Sequence, residues 1–148
     1  MITTAQSYHL KDLVRIGKRY FEASPYANTH QFEENTLMDS LRRAMISPLY
    51  EVAVAEWDGV TVGGAVAYLS DYAWCSHTRV NMELIYVDET HRAHGLVEQL
   101  IEHQLNWSRR NGAKEMIAGD IGFRPRIVEH FYTQQGFQDP GVMLRKIL

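Results

Sequence analysis

The sequence predicts one α/β (α+β) domain, a mixed sheet with helices on both faces. Two observations carry this. Segments with helical apolar spacing alternate with β-branched runs, in the order helices, three strands, helix, strand, helix, strand. Breakers such as Ser24-Pro25, Ser47-Pro48, Asp58-Gly59 and Asn111-Gly112 fall between these segments. A chain of 148 residues is long enough for a single domain, 1–148, with a real core.

Each element has its own signal. Residues 2–5 read as a short edge strand. Tyr8 to about Ala23 places Leu10, Leu13, Val14, Ile16, Tyr20 and Phe21 on an amphipathic helix, broken at Ser24-Pro25-Tyr26-Ala27-Asn28. Phe32 to about Ile46 is a second helix, with Leu37, Leu41, Ala44 and Met45 on one face. Glu51–Glu56 and Val60 to about Leu69 form a hairpin around Trp57-Asp58-Gly59. Ser70–Cys75 is a loop or frayed strand, and Thr78–Val87 is the next strand. A polar turn then leads into a helix running to about Arg110, with Leu96, Val97, Leu100, Ile101 and Leu105 as its apolar positions. Lys114–Ala118 is a strand and Gly119–Arg124 a loop. Pro125 starts a helix that runs to Gln135. Phe137–Leu148 gives one or two closing strands, bent at Pro140-Gly141.

Composition narrows the function. Hydrophobic content of 45% and charged content of 22% are those of an ordinary globular protein. No apolar run is long enough to span a membrane, and no basic-then-apolar leader is present. The single cysteine, Cys75, forms no internal disulfide, which fits a reducing cytoplasm. A net charge of −3 gives no general attraction to nucleic acid or to an anionic membrane. The charge is unevenly spread: +1 over residues 1–50, −7 over 51–105 and +3 over 106–148. The acidic middle holds the strands expected to floor a cleft, so a cationic amine is a plausible substrate. The plainer reading of most of these carboxylates is solvated surface.

The most informative stretch is Val87-Asp88-Glu89-Thr90-His91-Arg92-Ala93-His94-Gly95-Leu96-Val97. A strand passes through a short turn and one glycine into a helix. Such a junction leaves backbone N–H groups unpaired at the helix start, where the dipole adds positive charge. It is a cradle for phosphate or pyrophosphate, and Arg92 adds a permanent cation. Further along, Phe131-Tyr132-Thr133-Gln134-Gln135-Gly136-Phe137 reads as a helix end closed by a glycine cap.

This pair of motifs, in this order, resembles the GNAT-type N-acyltransferase superfamily. The phosphate-loop pattern of that family, Arg/Gln-x-x-Gly-x-Gly/Ala, corresponds to Arg92-Ala93-His94-Gly95-Leu96-Val97, with Val97 as the departure. Its late-helix pattern, Phe-Tyr-x-x-x-Gly-Phe, is matched throughout by Phe131–Phe137. The resemblance implies a mostly antiparallel central sheet with one splayed parallel strand pair. That pair would be the strand ending at Val87 and Lys114–Ala118, with acyl-CoA pantetheine between them. It further implies acetyl transfer from acetyl-CoA to a primary amine of a small molecule or protein, with no metal and no covalent enzyme intermediate. Homodimers are common in the family.

Carried over residue by residue, the cofactor contacts fall on Val87, Arg92, Ala93, His94, Gly95, Leu96 and Val97, with backbone N–H groups near Val87 serving the oxyanion. Tyr132 is the general acid for the departing thiolate; the plainer alternative is an interior tyrosine with one hydroxyl partner. Glu83 is the base candidate. Strict alternation puts 81, 83, 85 and 87 on one face of the strand and 82, 84 and 86 on the other. Equally, Glu83 pairs with Arg79 or lies in solvent. His77 and Arg79 are weaker cleft candidates. His91 and His94 flank the turn without a third ligand at metal spacing, and read as phosphate neighbours or surface groups. Val97 either faces the core or narrows the pyrophosphate site. Pro125 stands where many members have Asn; Arg124 or Arg126 would then meet a phosphate, or be plain surface charge. Residues 22–35 and 70–78, with Tyr26, His30, Tyr72 and Trp74, would grip the acceptor. The rival reading is a catalytically silent member of the fold that binds CoA or a partner protein.

Overall fold

The computed structural model describes residues 1–119, 125–138 and 146–147. The expected elements appear in order. Strand β1 is Ile2–Thr4, and a 3-10 turn at Ser7–His9 leads into helix α1, Leu10–Ala23. A second 3-10 turn, Pro25–Asn28, separates α1 from α2, Glu34–Ile46. Strands β2 (Tyr50–Trp57), β3 (Val60–Asp71) and β4 (Thr78–Val87) form a meander. A 3-10 turn, Glu89–His94, precedes α3, Leu96–Arg110; then come β5, Glu115–Ala118, and α4, Pro125–Gln134. The frayed reading of Ser70–Cys75 resolves into two parts. β3 continues to Asp71, and a loop begins at Tyr72.

The five strands make one sheet in chain order. The first three pairings are antiparallel and β4–β5 is parallel. Asp58 and Gly59 both have positive φ, 50° and 76°, the backbone that a two-residue hairpin turn needs. This turn holds Trp57 opposite Val60 at the sheet rim.

Each sheet face has its own core. On one, Leu13 and Val14 of α1 and Leu41 and Ala44 of α2 pack on Val52, Val54 and Val66, with Leu84 at the margin. On the other, Leu96 and Leu100 of α3 cover Ala53, Ala55, Val62, Ala65 and Val87. Trp107 extends this layer over Ala67 and Val80. Leu96, Leu100 and Ile101 are fully buried. Each contributes about 1.5–3 kcal/mol through lost apolar surface, which fixes where α3 begins.

The α3 layer also holds polar groups that apolar periodicity does not reveal. Gln104 is fully buried and donates to the carbonyls of Glu51 and Ala65, both at 3.4 Å. Glu51 Oε1 accepts from Thr4 Oγ1 at 2.6 Å and meets His103 Nε2 at 2.6 Å. These bonds tie α3 to the β1–β2 edge.

The closing strands expected over Phe137–Leu148 fall mostly outside the described residues, as do Arg124 and the side chain of Arg126.

Candidate active site

The turn after β4 is built as the sequence suggests. Gly95 has φ 68° and ψ 18°, a left-handed conformation that strains any residue with a Cβ. A Cβ placed there would meet nothing nearer than Glu98 Oε2 at 3.9 Å, so the space beside it is open. Gln99 N–H donates to the Gly95 carbonyl at 3.1 Å, which leaves the N–H groups of the first helical turn as the natural anion donors. Ala93 and His94 are exposed, and Leu96 is buried beneath them. Val97 is partly buried and packs against the α3-side core from the first turn of the helix.

Arg92 does more than add charge. Its Nε donates to the Val87 carbonyl at 2.9 Å, and its guanidinium lies 5.3 Å above the Tyr86 ring and 3.6 Å from Glu89. It thus ties the turn back to the end of β4. Asp88 anchors the same turn from the other side. Its N–H donates to the Val62 carbonyl at 2.8 Å, and its carbonyl accepts from His91 N–H at 2.8 Å. Its buried carboxylate accepts from Arg19 and lies 3.7 Å from Arg15, both on α1. The hydrogen bond to Asp88, and then the Asp88 charge, raise the Arg19 pKa above its ordinary value. The turn also rests on an aromatic shelf, with the His94 ring stacked on Trp57 at 4.1 Å and 18°. Neither Asp88 nor Trp57 stood out in the sequence. Trp57 immediately before an Asp-Gly turn was the available signal.

The second half of the site is the β4 edge beyond its pairing with β5. β4 and β5 pair from Arg79–Glu115 to Met82–Ala118. Beyond that, Glu83–Val87 has no strand partner on this edge among the described residues. The expected alternation along β4 fails here. Opposite β3, Val66 pairs with Leu84 but Ala67 pairs with Met82, so Glu83 is an extra, bulged residue. The faces therefore switch phase. Val80 packs with the α3 layer, as Ile85 and Val87 do, whereas Leu84 packs with α1 and α2. Asn81 shares the α1–α2 face with Tyr86, and no longer the face of Ile85 and Val87. Glu83 is exposed one residue beyond the β5 pairing, and no ion pair joins it to Arg79.

Tyr132 reaches the same point from α4. Its hydroxyl lies 3.9 Å from Met82 Sδ, the last β4 residue paired with β5. The glycine cap expected at Gly136 holds this helix end. Gly136 has φ 85°; its N–H donates to Thr133 O and Phe137 N–H donates to Tyr132 O, both at 3.0 Å. Phe137 returns edge-on to the Tyr132 ring at 5.1 Å. The Tyr132 hydroxyl therefore reaches β4 at Met82, one residue before the bulged Glu83.

The face covered by α1 and α2 carries the expected acceptor segments. Tyr26 and His30 make an edge contact at 5.4 Å. In the β3–β4 loop, Trp74 is 80% exposed and lies 5.2 Å from Tyr72. His77 and Cys75 are exposed. Arg79 is half-buried beside Ser70 and Tyr72. Of the acidic residues in 51–105, Glu51 pairs with His103, Glu56 with His9, Asp88 with Arg19, Glu89 with Arg92 and Glu102 with Arg109. Asp71 accepts from Thr78 at the end of β3, next to Ser70, and Glu83 is exposed on β4.

Known structures share this architecture over the full chain. A transcriptional regulator from Bacillus halodurans C-125 superimposes with a TM-score of 0.83 at 17% identity, covering 100% of this chain and 99% of that one. AAC(6')-Iy, in complex with the bisubstrate analog CoA-S-monomethyl-acetylneamine, gives 0.79 at 21% identity, covering 100% and 98%. Ribosomal-protein-alanine N-acetyltransferase from Brucella melitensis biovar Abortus 2308 gives 0.78 at 14%, covering 100% and 99%. At these identities the likeness establishes the fold. No curated protein sequence matches the chain. The model of the acetyltransferase (GNAT) family matches residues 11–137, spanning both the turn at Gly95 and the helix of Tyr132. The chain belongs to the GNAT acetyltransferase family.

Proposed function

We propose that the protein transfers an acetyl group from acetyl-CoA directly to a primary amine. The observation that carries this reading is a coincidence of three features on β4: among the described residues its pairing with β5 ends at Met82, the strand bulges at Glu83, and the Tyr132 hydroxyl meets Met82. A thioester in the opened gap would lie between an acid and a base. The diphosphate would sit on the turn from Arg92 to Val97, and the open space beside Gly95 suits its close approach.

The amine nitrogen attacks the thioester carbonyl carbon and forms the C–N bond. Glu83, exposed to water, takes the amine proton directly or through one water. Backbone N–H groups toward Val87 stabilise the oxyanion. The C–S bond breaks, and the thiolate takes the Tyr132 proton, which solvent replaces. The packing of Val97 against the α3-side core supports this reading over a catalytically silent protein.

Binding and turnover test this separately. At acetyl-CoA about 100-fold above its Kd, mass action stabilises the native state by about 2.7 kcal/mol, a Tm rise of roughly 5–10 °C. Thiol release across an amine panel reads the transfer. No thermal shift at millimolar acetyl-CoA refutes the cosubstrate. A shift without thiol release for any amine leaves a CoA-binding protein.

A further inference from the structure

Residues 51–105 contain only two lysine or arginine side chains, Arg92 at the turn and Arg79 on the face proposed to receive the acceptor. Arg79 is held by two contacts on this face. Its Nε donates to Ser70 Oγ at 3.1 Å, and the same oxygen accepts from Asn81 Nδ2 at 2.8 Å. Its guanidinium lies 4.7 Å from the centroid of the Tyr72 ring, and Tyr72 in turn leans on Trp74. No carboxylate pairs with it among the described residues. Asp71 instead accepts from Thr78. Glu115, its register partner on β5, makes no ion pair with it.

With Nε occupied and the plane fixed by the ring, the two terminal nitrogens remain as an oriented fork. That is the geometry with which arginine binds a carboxylate through two parallel hydrogen bonds. Fixing the fork in advance removes much of the ordering loss that binding otherwise incurs. A polycationic acceptor would meet repulsion here. An acceptor carrying a negative group would not.

We infer that Arg79 is a specificity-determining residue that selects amine acceptors bearing a remote carboxylate. The inference rests on the proposed reaction site at Glu83. Arg79 stands four residues before Glu83, about 13 Å along the strand. The acceptor is therefore bifunctional, with its amine at the gap and its carboxylate near Ser70 and Tyr72.

A molecular ruler tests this. The probes are ω-aminoalkanoates of increasing chain length, each compared with the diamine of the same length. Calorimetry with CoA alone first tests the reaction site independently. With CoA bound, the wild-type protein is expected to prefer the aminoalkanoate over the diamine by roughly tenfold in kcat/KM, as a charge-assisted fork allows. The preference should peak at one length and appear mainly in KM. Arg79→Gln should erase the preference and Arg79→Glu should reverse it; the wild-type length series decides even if a variant folds poorly. Equal or better use of diamines at every length overturns the inference, as does a preference that survives Arg79→Gln. If neither series turns over, calorimetric binding to the CoA-loaded protein replaces turnover, and absence of aminoalkanoate binding overturns it too.

Discussion

Tyr132 and Glu83 reach the same few ångströms of β4 by different routes, and their legibility differs accordingly. Tyr132 could be read from its neighbours. The aromatic pair and the glycine three residues after the following Thr define a capped helix end, and the cap holds the ring in place. Glu83 could be named but its setting could not, because a bulge inserts a residue without leaving a signature in hydrophobic alternation. Tyr132→Phe keeps the ring and removes only the hydroxyl. It should lower kcat by about 10²-fold with little change in acetyl-CoA affinity, the thiolate being a leaving group that needs modest help. Glu83→Gln should depress the rate most at low pH, where little of the amine is already neutral. Steady-state kinetics on any accepted amine, in variants with native melting, checks both. Unchanged kcat in Tyr132→Phe, where chemistry limits the rate, removes that residue from the mechanism.

At the scale of elements, the turn from Asp88 to Leu96 is held from three directions: Arg92 to the β4 end, Asp88 to α1, and His94 to Trp57. The sequence announced the glycine and the helix, since positive φ and apolar spacing are local properties. It did not announce the braces, which join residues far apart in the chain. Gly95→Glu should abolish CoA binding, through repulsion of the diphosphate together with about 1–2 kcal/mol of left-handed strain. Val97→Gly should behave differently. It removes a core contact and costs about 1 kcal/mol in helix propensity, so the melting temperature falls without tighter binding. Calorimetry and thermal melts on the two variants separate these outcomes; CoA affinity that is indifferent to Gly95→Glu relocates the phosphate site.

For the whole molecule, strand order and the two-faced core were readable because apolar period is set by which face is covered. The division of charge was not. Much of the acidic middle of the chain is drawn into ion pairs on both faces, and Arg79 stands on the face proposed for the acceptor. That same three-dimensional sorting has placed the three tryptophans in three different settings. Trp57 is stacked on His94 under the turn before α3, Trp74 is 80% exposed in the β3–β4 loop, and Trp107 is buried in the α3 layer at 8%. Indole emission responds to local polarity and to quenching by a neighbouring imidazole. Under the proposed function Trp57 is thus a lamp at the cofactor door and Trp74 one at the acceptor door, with Trp107 as an unchanging background. Adding CoA should alter emission in the native protein and in Trp74→Phe but not in Trp57→Phe, while a saturating acceptor should show the reverse. A CoA signal that persists in Trp57→Phe would separate the indole from the turn it supports. The two binding events could then be timed by light within one mixing experiment, with no label attached.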